Sequence, residues 1–370
     1  MKRTVLVIVI LALLTFGSVY GAKQFMKQNE NVAFAARTEE GNRSAAEGLS
    51  ITVKEHTWTS GMDWAISLTR LPDMWDCNLV YETDGLKTKT EFHRSWEEYT
   101  EIKNLKRKEL IDENVLRRDL NRNEGLWTIM SHNPEIFYVP KNDVLYFVFD
   151  THLKDGTVID TSVLQKGYGI YIIPIQKFKG EYGYPAEDDS VFANLDPEIS
   201  VRGLKKNKDG SRLYLLYQRD GMYYIRIMNQ GGNEVTPDIP LELGEVKDDT
   251  PVSTEYGDGV FTVTVKNATT DAFDCHVFSE NAEGSHGKAM IIRGVEGKAV
   301  SDDAEVSIAF DGEKLARVVY DKTISVTVYS KDGLLYRGAI ENSLEKMEDG
   351  GEDGYSMRHR DLQCQWNRYS

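Results

Sequence analysis

Cysteine is scarce in this chain, whose 370 residues include only Cys77, Cys275 and Cys364. They are too few and too scattered for a cysteine-based metal site, and an odd number excludes a fully paired set of disulfides. In an exported protein, Cys77 near the start of the folded region and Cys364 near its end form a candidate disulfide; independent thiols are the alternative. No cysteine precedes Cys77, which excludes lipidation of a cysteine just after the N-terminal apolar segment.

Basic residues are outnumbered, 44 against 59 acidic ones, which gives a net charge of -15. A surface with this balance repels phosphate backbones, so we expect no nucleic-acid partner. An acidic exterior is ordinary for a soluble domain outside the cytoplasm.

Motifs of known enzyme classes are also missing. The sequence has no His-Glu-x-x-His, Gly-x-Ser-x-Gly, Cys-x-x-Cys or glycine-rich phosphate loop. Its 7 histidines are dispersed. Asp274 and His276 share one face of a predicted strand, and we interpret them as a surface pair rather than an acid–base site. We therefore predict no catalytic residue, no metal site and no cofactor.

The N-terminus carries the clearest signal that is present. Lys2 and Arg3 precede an apolar run over residues 4–16 and a small-residue tail that ends at Ala22. A basic start before such a run is typical of an export signal. Its length lies between that of a cleaved signal peptide and that of a membrane span. We predict a retained signal anchor over residues 1–22, with residues 4–22 in the membrane and the rest extracytoplasmic; the alternative is secretion after cleavage near Ala22.

The sequence after the anchor divides into a linker and a long domain. Residues 23–48 are rich in Lys, Gln, Asn, Glu, Ala and Gly, which predicts a polar linker. Residues 49–370 form the extracytoplasmic domain. Within it, residues 95–130 combine a capping-box spacing from Ser95 to Glu98 with helical periodicity, which predicts a helical insertion.

Pairs of β-rich runs recur along the domain, each pair separated by a turn. Residues 213–217 precede 223–227, and residues 316–320 precede 324–329; looser copies begin at Val144 and Val260. Asp-Gly dipeptides punctuate the chain, and Asp-Gly favours the positive φ of tight hairpin turns. The predicted fold class is all-β.

Units of four antiparallel strands every 45–70 residues or so resemble those of a β-propeller-like repeat protein. The resemblance implies roughly six or seven blades, with Cys77 and Cys364 across the ring closure. The alternative architecture is two β-sandwich domains divided within the helical insertion.

Aromatic residues supply the candidate binding positions. Tyr168, Tyr182 and Tyr184 lie in a glycine-rich segment, and Trp58 and Trp64 flank a Ser-Gly pair. Exposed rings on such loops stack on sugars or anchor a partner. We predict a non-enzymatic binding or scaffolding protein tethered to the membrane, whose partner is an envelope protein or a polymer. The alternative is a secreted or anchored carbohydrate-active hydrolase that uses channel-facing carboxylates.

Overall fold

The computed structural model describes residues 32–60, 73–93, 135–139, 144–148, 168–174, 191–207, 211–229, 231–235, 237–241, 252–257, 259–266, 272–280, 286–295, 304–342 and 355–367. Within these ranges no helix has the length and apolar character that crossing a bilayer requires. The predicted anchor over residues 1–22 and the predicted helical insertion over residues 95–130 both lie outside them.

The described part of the chain is built from strands and one short 3₁₀ helix, Arg43–Ala46. The strands are, in chain order, β1 (Phe34–Gly41), β2 (Leu49–Ser60), β3 (Asp73–Glu82), β4 (Gly85–His93), β5 (Glu135–Val139), β6 (Val144–Val148), β7 (Gly169–Pro174), β8 (Val191–Asn194), β9 (Ser200–Lys206), β10 (Arg212–Arg219), β11 (Met222–Asn229), β12 (Ile239–Leu241), β13 (Val252–Gly257), β14 (Val260–Lys266), β15 (Phe273–Glu280), β16 (His286–Val295), β17 (Glu305–Phe310), β18 (Leu315–Tyr320), β19 (Ile324–Ser330), β20 (Gly333–Asn342) and β21 (Tyr355–Trp366).

These strands form a repeated unit, a four-stranded antiparallel sheet. The strand orders are β21-β2-β3-β4 in sheet 1, β5-β6-β7-β8 in sheet 2, β9-β10-β11-β12 in sheet 3, β13-β14-β15-β16 in sheet 4 and β17-β18-β19-β20 in sheet 5. Sheets 4 and 5 are joined by a single parallel pair, Gly257 opposite Ile308. Strand β1 extends sheet 5 alongside β20. The described residues thus contain five such sheets, where the sequence spacing predicted six or seven blades.

The paired β-rich runs found in the sequence are the two central strands of sheets 2, 3, 4 and 5. Strands β10 and β11 are the central pair of sheet 3, and β18 and β19 are that of sheet 5. Central strands are covered on both faces, so their sequences are nearly continuous apolar runs; six consecutive residues of β10 are buried. The Asp-Gly turn between β10 and β11 has φ of 50° at Asp220 and 74° at Gly221. Positive φ at both positions is the type I′ geometry that a two-residue hairpin requires.

Successive sheets pack face to face. Leu216 and Ile225 of sheet 3 share a core with Phe261 and Val263 of sheet 4. The other face of sheet 4 packs on sheet 5, and sheet 5 packs on sheet 1, where Val318 lies in the same core as the apolar residues of β2 and β3. Sheets 3, 4, 5 and 1 therefore follow one another in a series, as blades do. The protein is a β-propeller-like repeat protein rather than a pair of separate sandwiches; closure of the ring between sheets 1 and 2 is not seen among the described residues.

Sheet 1 contains both ends of the domain. Strand β21 pairs with β2 along its whole length, from Leu49 opposite Trp366 to Ser60 opposite Tyr355. Strand β21 also lies beside β17: the Trp366 Nε1 donates to the Ala309 carbonyl at 3.2 Å. The two ends of the domain therefore meet in one sheet.

The expected disulfide between Cys77 and Cys364 is absent, since both residues are buried free thiols. Strand β2 separates them, with Ile51 opposite Cys364 and Val53 opposite Cys77. Two strand spacings alone separate the Cα atoms by about 10 Å, and the two-residue offset along β2 adds to this, so the separation exceeds the roughly 7 Å limit for a bridge. Burial raises the pKa of each thiol to about 12, so both remain protonated.

The predicted polar linker over residues 23–48 is wrong for its second half, which forms β1 and the 3₁₀ helix. Strand β1 pairs with β20 from Phe34 opposite Asn342 to Gly41 opposite Tyr336. An outer edge strand is stabilised largely by its main-chain hydrogen bonds, so exposed Arg37 and Glu40 are compatible with it. Low hydrophobicity therefore did not mark a linker here.

Candidate binding surface

Of the aromatic residues selected from the sequence, the structure describes the side chain of Tyr168. Tyr168 is only 2% exposed, and its carbonyl accepts a hydrogen bond from the Leu195 N–H. Tyr168 is therefore not an exposed stacking residue, contrary to the expectation. Trp58 lies in β2 opposite Met357. Tyr182, Tyr184 and Trp64 lie outside the described residues.

A different aromatic cluster lies on one face of sheet 3. It consists of Tyr217, Tyr224, Arg219, Arg226 and Asp238, and we call it the tyrosine–arginine ladder. Tyr217 of β10 is directly opposite Tyr224 of β11, and their rings stack with centroids 5.4 Å apart and planes at 16°. The Arg226 guanidinium lies 5.4 Å from the Tyr217 ring centroid, and that of Arg219 lies 5.1 Å from the Tyr224 centroid. Cations and rings thus alternate along the face.

Asp238, just before β12, fixes the inner end of the ladder. The Arg226 Nε donates to its Oδ1 at 2.8 Å, the Arg226 Nη2 donates to its Oδ2 at 2.9 Å, and the Tyr217 hydroxyl donates to Oδ2 at 2.5 Å. Burial alone would raise the pKa of Asp238, but these hydrogen bonds hold it below its ordinary value. Burial and the bond to Asp238 raise the pKa of Tyr217 to about 12. The inner end is therefore a bidentate ion pair with a neutral tyrosine.

The outer end of the ladder reaches the surface at the tip of the β10–β11 hairpin. Tyr224 and Arg219 are partly exposed there. Met222, directly opposite Arg219, is 54% exposed at this tip. Val235 is 44% exposed but lies towards the other end of β11, where its N–H donates to the Ile227 carbonyl at 2.8 Å. In the described part of the chain these two are the exposed large apolar side chains. Tyrosine, arginine and methionine are the residue types enriched at protein interfaces.

The hydrophobic pattern of the sequence marks these residues only as parts of β-strands, so it does not predict the ladder. The Asp220-Gly221 turn contained the signal: a two-residue turn pairs Arg219 with Met222 and hence Tyr217 with Tyr224. Asp238 is not part of any periodic run, so its contact with Arg226 was not predictable from spacing.

Two carboxylates near the sheet interfaces join neighbouring sheets. Glu55 of sheet 1 is fully buried and accepts a hydrogen bond from the Tyr320 hydroxyl of sheet 5. The Arg360 guanidinium of β21 lies 4.7 Å from the Tyr320 ring centroid. Between sheets 4 and 5, the Arg317 Nη2 donates to the Glu255 Oε1 at 2.6 Å, and its Nε contacts both carboxylate oxygens at 2.9 Å. Both carboxylates thus accept hydrogen bonds that connect the sheets.

The sequence predicted Asp274 and His276 to be a surface pair, and the burial of His276 shows that this prediction was wrong. Both residues lie on β15, on the face that packs on sheet 3, and His276 is buried. Among the residues that the structure describes, no group of three or more His, Cys, Asp or Glu side chains is arranged to hold a metal ion.

Comparisons with known proteins give distant similarities. No family model matches the sequence, and no curated protein matches it. The chain is similar to the periplasmic gluconolactonase PpgL of Pseudomonas aeruginosa, with 14% identity, a TM-score of 0.33 and coverage of 73% of this chain and 67% of that one. For Hsv2 of Kluyveromyces lactis the identity is 13% and the TM-score 0.29, and the match covers 72% of this chain and 59% of Hsv2.

The β-propeller domain of Cps50 (Swd1) from Myceliophteria thermophila is a third similar structure, with 9% identity, a TM-score of 0.24 and coverage of 56% of this chain and 86% of that one. These values are low. The propeller-like assignment therefore rests on the strand order and on the face-to-face packing of the sheets.

Proposed function

We propose that this chain is a non-enzymatic binding or scaffolding protein, held outside the membrane by residues 4–22, which recognises its partner through the outer end of the tyrosine–arginine ladder. The observation that carries the proposal is the exposure of Met222 at the outer end of this ladder. Apolar side chains exposed beside rigid aromatic and cationic groups are typical of recognition surfaces.

The rigidity of the ladder supports a binding role. Arg226 is held by two hydrogen bonds to Asp238, and Tyr217 is buried between Arg226 and Tyr224. A contact surface whose side chains are already ordered loses less conformational entropy when a partner binds. The partner we propose is a cell-envelope protein or an envelope polymer.

Site-specific crosslinking tests the proposed surface. A photoreactive amino acid replaces Met222 in the full-length protein, expressed in the organism that makes it. We expect a defined adduct at this position, and we expect Tyr224→Ala to reduce it at least about 5-fold, in line with the roughly 1 kcal/mol or more that an interface aromatic contributes. The control is the same amino acid in place of Lys89, whose side chain is 76% exposed on β4. Equal adducts at both positions would contradict the proposal.

The anchor and the absence of catalysis have separate tests. Retention predicts that the mature protein keeps residues 1–22 and stays with the membrane fraction after carbonate washing; a mature N-terminus at Ala22 or Lys23 would make the protein secreted instead. For the hydrolase alternative, purified protein is incubated with labelled polysaccharides. Cleavage that disappears when single carboxylates become amides would overturn the non-enzymatic proposal.

A further inference from the structure

Two histidines are buried between sheets 3 and 4. His276 of β15 lies opposite Val263, and His286 of β16 lies opposite Glu280. Both point from sheet 4 towards sheet 3, and their exposed fractions are 4% and 7%. The His286 ring packs on two aromatic rings, Tyr214 of sheet 3 at 5.8 Å and Phe261 of sheet 4 at 5.4 Å between centroids.

The ring nitrogens of these histidines are poorly satisfied. Among the described residues, Nδ1 of His276 and both Nδ1 and Nε2 of His286 are buried without a hydrogen-bond partner. A neutral imidazole carries one donor and one acceptor, and an imidazolium carries two donors. Leaving a buried polar group unpaired costs free energy, and the cost rises when the group becomes charged. This interface therefore tolerates neutral histidines and strongly disfavours charged ones.

The charged groups around the histidines do not compensate a new positive charge. The Glu280 carboxylate beside His286 already accepts a hydrogen bond from the Arg212 Nη1 at 2.7 Å. His276 lies between Asp274, which favours its charged form, and Lys288, which opposes it. The other titratable or charged residues on the facing strands are Lys205, Tyr214 and Tyr223 of sheet 3 and Tyr256 and Arg293 of sheet 4. They supply no further carboxylate.

We propose that the interface between sheets 3 and 4 is a pH-sensitive joint, which is closed while His276 and His286 are neutral and opens when they take up protons. Opening separates sheet 3 from the aromatic face of sheet 4 and exposes Phe261 and Phe278. In a protein outside the cytoplasm, the external pH would then control this joint.

The surroundings of the two histidines determine in which direction pH affects the joint and over which pH range. Burial lowers the pKa of His276 to about 4 and also lowers the pKa of His286. A histidine whose pKa is lower in the folded state contributes stability that is fully present above its ordinary value of about 6.5. That contribution is lost as the pH falls from there towards 4. At pH 5, His276 alone shifts the closed–open equilibrium about 30-fold towards the open form, relative to neutral pH and above.

Hydrogen exchange of the full-length protein measures this opening. Exchange is followed by mass spectrometry between pH 7.5 and 5, corrected for the chemical rate at each pH. We expect the protection factors of peptides that cover β10, β14 and β15 to be at least about 10-fold lower at pH 5 than at pH 7.5. The protection factors of β18 and β19, in the core between sheets 5 and 1, should fall much less. An equal loss in both regions would overturn the joint.

A histidine-free interface provides the matched comparison. In the double variant His276→Leu, His286→Phe, the difference in pH dependence between the two regions should disappear, whereas His93→Gln on the edge strand β4 should leave it unchanged. If the double variant fails to fold, NMR titration of the histidines in the unmodified protein decides the question. Titration of both at the ordinary value in the folded protein would overturn the proposal, and titration of both well below it would support the proposal.

Discussion

Removing the Tyr320 hydroxyl is the most direct test of how sheets 1 and 5 are held together. This hydroxyl donates to the carboxylate of Glu55 across the interface, and both side chains are fully buried. Phenylalanine keeps the ring, and with it the apolar contacts and the Arg360 guanidinium over its face. The variant Tyr320→Phe therefore removes one hydrogen bond and little else.

The size of the effect follows from the acceptor. A hydrogen bond to a charged group contributes about 1.5–3 kcal/mol, and a buried acceptor that loses its donor keeps its desolvation cost. We expect Tyr320→Phe to lower the free energy of unfolding by about 2 kcal/mol. The assay is urea unfolding followed by tryptophan fluorescence, with an unchanged slope of free energy against urea as evidence that the comparison is valid.

Tyr336→Phe is the matched control. Tyr336 is also fully buried in the core between sheets 5 and 1, but its hydroxyl contacts the neutral Tyr81 hydroxyl at 3.4 Å. A long bond between neutral groups contributes less, about 0.5–1 kcal/mol. If Tyr320→Phe costs no more than Tyr336→Phe, the Glu55 carboxylate does not depend on this donor and the reasoning fails.

The remaining predictions concern other contacts. Arg317→Lys, which keeps the charge but loses the planar bidentate contact with Glu255, should lower the free energy of unfolding by about 1–2 kcal/mol in the same urea assay; no change would show that charge alone suffices. Asp238→Asn should flatten the loss of stability in acid, because a carboxyl whose pKa is lowered in the folded state contributes stability above its ordinary value that is lost as the pH falls; thermal melts at pH 7 and pH 3 measure this, and an unchanged difference between the two would refute it. The three buried cysteines should be unreactive towards a thiol reagent in the native protein and all reactive in denaturant without reductant, because burial keeps them protonated; a missing pair of thiols in denaturant would reveal a disulfide.

The central strands were more predictable from the sequence than edge strands such as β1. Central strands such as β10 and β18 are covered on both faces, so selection for burial leaves nearly continuous apolar runs. Strand β1 is held by main-chain hydrogen bonds to β20 at an exposed edge, and its polar sequence resembles that of a linker. The hydrophobic pattern of a sequence therefore predicts strands whose side chains are buried. It does not predict a strand that is held mainly by main-chain hydrogen bonds.

Contacts within a hairpin can also be predicted from the sequence more readily than contacts between sheets. The Asp220-Gly221 turn determines that Tyr217 lies opposite Tyr224, so this part of the tyrosine–arginine ladder follows from local rules. Glu55 and Tyr320 are separated by 265 residues. No spacing rule connects them, because their contact depends on how the sheets follow one another in space.

The position of β21 in sheet 1 also affects how this protein folds. Strand β2 and its partner β21 are far apart in the sequence, with Leu49 opposite Trp366. Closing so long a stretch of chain costs conformational entropy before the contacts within sheet 1 can offset it. Hairpins such as β10–β11 join strands that adjoin in the sequence, and their closure costs much less. We therefore expect the pairing of β2 with β21 to be a late step of folding.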